Sequence, residues 1–89
     1  MSRKENVVRE KSFSFAVRIV RLYQFLKDDK KEYILAKQIL RSGTSVGANI
    51  EEADSAISKR DFSSKISMAY KEAKETHYWL RLLLATKYV

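Results

Sequence analysis

Apolar side chains recur along this chain at alternating spacings of four and three. Val8, Ser12, Phe15, Ile19, Leu22 and Leu26 form one such row, and Phe62, Ile66, Ala69, Ala73, Thr76, Leu80 and Leu83 form another. Between them, Leu35, Ile39, Val46, Ile50, Ala53 and Ile57 share one side of a third segment. Rows of this kind keep one face of a helix turned toward a neighbour, and the spacing is that of helices crossing at a shallow left-handed angle. Proline is absent and the only two glycines, Gly43 and Gly47, lie close together, so strands and tight turns lack their usual punctuation. Helix starts are marked three times by an oxygen-bearing side chain followed three residues later by a carboxylate: Ser2 with Glu5, Asp29 with Glu32, and Ser58 with Asp61. These signals predict helices over about 3–27, 30–57 and 59–88, each roughly 35–40 Å long. The expected fold class is all-α, an up-down antiparallel helical bundle in a single domain over residues 1–89.

Two further patterns change the picture from a lone monomer to an assembly. The first helix carries a second apolar edge, Phe13, Val17 and Val20, turned well away from its first row. The third helix ends in Tyr78-Trp79-Leu80-Arg81-Leu82-Leu83-Leu84-Ala85, apolar nearly all the way round, with Trp79 and Leu82 off the main row. A helix that is apolar on two sides is buried on two sides. Three helices do not provide that cover, so a fourth helix or other subunits must, and a homo-oligomer is expected. The stretch Ser42-Gly43-Thr44-Ser45-Val46-Gly47-Ala48-Asn49 admits two readings. Without bulky side chains it lets a neighbouring helix approach closely; broken open, its backbone N–H groups would face an anion. The lysine and the preceding strand of a phosphate-binding loop are missing, which favours close packing. Asn49 and Glu51, beside this stretch, are placed to bond across a subunit interface.

Composition narrows the function. Eighty-nine residues make one domain, with no cysteine for disulfides or thiolate metal sites, which fits a cytoplasmic location. The charged N-terminus, MSRKENVVREKSFSF, does not read as a signal peptide, and no apolar run approaches the roughly 20 residues of a membrane span. Eighteen Lys and Arg against eleven Asp and Glu leave a net charge of +7, which favours an anionic partner. Lys11, Arg18 and Arg21 fall on one stripe of the first helix, and Lys30, Lys37 and Arg41 lie opposite the Ile39–Ile50 face of the second. Two such stripes on neighbouring helices would track a phosphate backbone. On the third helix Arg60, Lys71 and Lys74 make a weaker patch, because Glu75 interrupts them.

No catalytic or metal site can be assembled from these residues. A di-iron bundle needs Glu-x-x-His on two helices, whereas the single histidine, His77, follows Lys74 by three positions. Glu51, Glu52, Asp54, Glu72 and Glu75 remain as carboxylates, and helical glutamates are ordinarily solvated or ion-paired. Tyrosines and Trp79 at helical spacing beside leucines read as core or interface before they read as base-stacking groups. No cofactor is expected.

Three runs carry a family resemblance: Phe15 to Tyr23 (FAVRIVRLY), Gln38 to Ala53 (QILRSGTSVGANIEEA) and Glu72 to Leu80 (EAKETHYWL). Across about residues 6–84 the chain resembles the bacterial four helix bundle proteins encoded in intervening sequences of 23S ribosomal RNA genes, a family similar to the accessory variability determinant of diversity-generating retroelements. The resemblance implies a four-helix bundle assembled as a ring, a pentamer, that binds nucleic acid through a positive surface, RNA ahead of DNA, without catalysis. The fourth helix of the family is not found in this sequence. An alternative function is a protein adaptor that docks a partner such as a reverse transcriptase through its apolar helix edges.

Overall fold

The computed structural model describes residues 3–89, of which α1 (Arg3–Asp28), α2 (Ile34–Asp54) and α3 (Lys59–Ala85) are helical, and no strand occurs among the described residues. The Ser2–Glu5 helix start lies outside the described residues. Contacts fix the directions. Ile19, Ser12 and Arg9 of α1 meet Gly43, Gly47 and Asp54 of α2 in turn, and Ser42 and Glu52 of α2 meet Thr76 and Lys65 of α3. α2 therefore runs antiparallel to both of its neighbours. The result is an elongated body of 43 × 19 × 16 Å.

The seam is the one that the four–three spacing marks. Ile19, Leu26, Ala36, Ile39 and Leu83 form the buried core, with Phe15, Leu22, Leu35, Trp79, Leu80 and Tyr88 packed against it. Burial is densest where α1 ends, α2 begins and α3 ends. At the opposite end Val8, Phe62 and Ile66 keep more than a third of their surface exposed, although the spacing places them in the same rows. They line an open cleft with Lys4, Ile50, Ala53 and Asp54. The backbones of α1 and α3 both pack on α2 and not on each other.

Helix α2 is unbroken from Ile34 to Asp54, which decides between the two readings of its small residues. A Cβ on Gly43 would lie 2.7 Å from Ile19 Cγ1 and Cγ2, and one on Gly47 would lie 3.3 Å from the Ser12 carbonyl oxygen. The two glycines thus let α1 close onto α2 within the chain. Ser42, Gly43, Gly47 and Asn49 are buried on α2 alongside Ile39. Small residues at these sites bring the helices near enough that Leu or Ile there would not fit.

Helix ends depart from the expected 30–57 and 59–88, and each departure has a local cause. After α1, Lys31 takes a left-handed conformation (φ 55°) and the Glu32 N–H donates to Leu26 O at 2.9 Å, which reverses the chain before α2 can start. The Asp29–Glu32 start is not used; Glu32 Oε1 instead accepts from the Ala36 N–H at 3.0 Å. α2 stops at Asp54, and Ser55 and Ala56 donate to carbonyls three residues back, which tightens the last turn. Ile57 leaves its expected place in the apolar row and is 93% exposed. The Ser58–Asp61 start does form: Ser58 Oγ accepts from Asp61 N–H at 3.0 Å, while Asp61 Oδ2 accepts from Ile57 N–H at 3.2 Å. α3 ends at Ala85 with Lys87 left-handed (φ 63°) and the Tyr88 N–H bonded to Leu83 O, a Schellman-type stop that folds Tyr88 onto the core.

Candidate nucleic-acid interface

Most of the carboxylates of α2 and α3 are turned into the protein's own ion pairs. Arg9 of α1 reaches Asp54 at 2.9 Å and Glu51 at 3.7 Å, and Lys65 of α3 reaches Glu52 at 3.0 Å. The Glu52 carboxylate, by hydrogen bond and by charge, raises the Lys65 ammonium above its ordinary 10.5. Arg41 bridges Glu72, at 3.1 Å, and Glu75, and the same Glu75 oxygen accepts the Trp79 indole N–H at 2.9 Å. These pairs join α2 to its two neighbours.

Arg9, Arg41 and Lys65 are matched in these pairs, and Lys27 is matched by its neighbour Asp28 at 3.5 Å. Lys11, Arg18, Arg21, Lys30 and Lys37 are exposed, and no carboxylate lies within ion-pair distance of them among the described residues. Arg41 differs from the other five residues of the two stripes, because its charge is spent on Glu72 and Glu75. The stripes also do not form one track. Lys11 and Arg18 continue, at seven-residue steps, the row begun by Lys4, which lines the open cleft between α1 and α3. Lys37 lies on the side of α2 opposite buried Ile39, away from that cleft. Lys30 caps the turn, its ammonium 5.7 Å from the Phe25 ring centre.

The residues marked for assembly divide in the same way. Phe13 (67% exposed), Val17 and Val20 present an apolar edge to solvent and line a shallow groove with Ala16, Arg21 and Gln24. Trp79 and Leu82 are half-buried, and Leu82 lines a second groove at the end of α3. Asn49 donates to Ser45 O inside its own helix at 2.9 Å, and Glu51 lies near Arg9; both, like Gly43 and Gly47, have partners within the chain.

The sequence reading undervalued the outer face of α3, taking Glu75 to interrupt Arg60, Lys71 and Lys74. Glu75 does not interrupt it, because that side chain turns inward to Arg41 and Trp79. Tyr33, Tyr70 and Tyr78 are more than half exposed and belong to neither core nor helix seam. Among the described residues no group of three or more acidic or histidine side chains is gathered for a metal, and no helix is long and apolar enough to cross a membrane.

Comparisons with known proteins place this geometry. Residues 4–89 match the family model described as 23S rRNA-intervening sequence protein. A solved crystal structure from Bacteroides thetaiotaomicron VPI-5482, a protein of unknown function from the S23 ribosomal protein family, is 59% identical to this chain with a TM-score of 0.96. The match covers 97% of this chain and 77% of that one. No curated protein matches the chain.

Proposed function

Since the chain belongs to the 23S rRNA-intervening sequence protein family, we propose that it is a non-catalytic, nucleic-acid-binding helical bundle that holds structured RNA through unpaired surface cations. The observation that carries this reading is the sorting of charge. Most carboxylates along α2 and α3 are drawn into interhelical pairs, while Lys11, Arg18 and Arg21 remain unmatched among the described residues. A surface so arranged contacts phosphates and releases their counterions without reading base edges. Copies joined through the Phe13–Val17–Val20 edge form a cytoplasmic homo-oligomer, a pentameric ring. Repetition around a ring multiplies a weak patch into useful avidity.

Charge reversal at Lys11 and Arg18 tests the surface. It is expected to weaken binding of a structured ribosomal RNA fragment by about tenfold or more, with the oligomer mass unchanged. Undiminished affinity in that variant rules the α1 stripe out. A second reading, a protein adaptor, rests on the same exposed apolar edge of α1; it predicts docking of a partner protein that persists at high salt.

A further inference from the structure

We propose that the outer face of α3 is a platform for unpaired RNA nucleotides, with Tyr70 and Tyr78 stacking on bases while Lys71, Lys74 and Arg81 hold the flanking phosphates; this deepens, and rests on, the nucleic-acid reading above. Arg60, Ser63, Ser67, Tyr70, Lys74, Tyr78, Arg81 and Ala85 follow three–four spacing on the side of α3 opposite the buried row Ala69, Thr76 and Leu83. Every one of these outer residues is exposed. α3 carries three carboxylates, and none belongs to this face. Asp61 is held by Ser58 and Ile57 at the helix start, and Glu72 and Glu75 are held by Arg41. The strip therefore carries no carboxylate, and its two aromatic rings are set among Lys71, Lys74 and Arg81.

Both rings are open to solvent. Tyr70 is 64% exposed and Tyr78 is 53% exposed, and neither hydroxyl has a hydrogen-bond partner among the described residues. Lys74 Nζ lies over one face of the Tyr70 ring, 5.8 Å from its centre, which leaves the opposite face for a base and sets a cation close by for its phosphate. Tyr78 is braced edge-on against Trp79, with 5.2 Å between ring centres, and Trp79 is in turn fixed by its bond to Glu75. Eight residues of helix separate the tyrosines by about 12 Å, a distance that two or three nucleotides of extended strand cover. Base-on-tyrosine stacking tolerates any sequence, but it requires bases freed from a duplex. The face thus selects loops and single-stranded segments, whereas the α1 stripe takes phosphates of either kind.

The test titrates the full chain with a labelled unstructured RNA of roughly 12 nucleotides, the matching DNA strand and an RNA duplex, between about 50 and 200 mM salt. The expected result is that Tyr70→Ala with Tyr78→Ala weakens single-strand binding by about tenfold or more and leaves the salt slope unchanged, since no charge is lost. Tyr70→Phe with Tyr78→Phe should restore it. Lys71→Ala with Lys74→Ala should lower the slope by about 1.4, at roughly 0.7 per phosphate contact on a single strand. This charge pair decides the matter even if the alanine pair loses helicity. Full affinity in the alanine pair, an unchanged slope in the lysine pair, or duplex bound as tightly as single strand would overturn the platform. If the platform variants bind normally while Arg18→Glu binds poorly, the platform is wrong and the nucleic-acid function stands. If the unmodified chain binds none of the probes, both fall.

Discussion

Two buried hydroxyls show how little polar material the interior of this protein leaves unpaired. The oxygens of Ser42 and Thr76 are 2.9 Å apart, and Thr76 also donates to the Glu72 carbonyl at 2.8 Å. A hydroxyl has one proton, so Thr76 gives its own to the carbonyl and Ser42 supplies the one between them. Thr76→Val removes the only acceptor of that proton within the pair and is expected to cost about 1–3 kcal/mol in chemical denaturation. Adding Ser42→Ala should recover part of the loss, because the two changes share one bond. Gly43→Ala places a methyl group inside Ile19 and should cost about 1–3 kcal/mol despite alanine's better helix propensity; Gly47→Ala, facing a carbonyl at 3.3 Å, should cost less. The closeness at Gly43 and Gly47 was legible from residue size alone. That Ser42 pairs with Thr76 was not, because thirty-four positions separate them and spacing says nothing about partners across helices.

At the scale of the element, ends were harder to read than faces. Ile39, Leu26 and Leu83 are fully buried where periodicity puts them. The start of α2 is four residues later than a capping box suggests, since the turn after α1 is set by a left-handed Lys31 and by a bond from Glu32 back to Leu26. A side chain in that conformation costs energy that glycine does not, so Lys31→Gly should raise stability by about 0.5–1 kcal/mol, seen as a higher denaturation midpoint. If the midpoint falls instead, the turn is held by the lysine side chain. The α3 patch was undervalued for a similar reason. Sequence counts Glu75 as a negative charge on the helix, and only the fold reveals that Arg41 and Trp79 draw it inward. Arg41→Ala should therefore loosen α3 from α2 and weaken folding, while changing RNA affinity far less than Arg18→Ala.

The described residues form three helices, with charges sorted between seam and surface. The all-helical fold was evident from periodicity, missing proline and helix-start signals, because each of these is a local property of the chain. Assembly and ligand are not local, and here the sequence supplied stripes and edges without saying which face each joined. Val17→Glu, on the exposed edge of α1, should break the proposed homo-oligomer into smaller species by light scattering, with helicity retained; an unchanged mass would place the subunit contact elsewhere. Charge-driven binding of structured RNA is the proposed activity. Its most direct test is the affinity of the unmodified chain for a labelled structured ribosomal RNA fragment at about 50 and 200 mM salt. Sorted surface cations predict micromolar or tighter binding that weakens about tenfold or more over that range. Binding that is absent, or indifferent to salt, would contradict it.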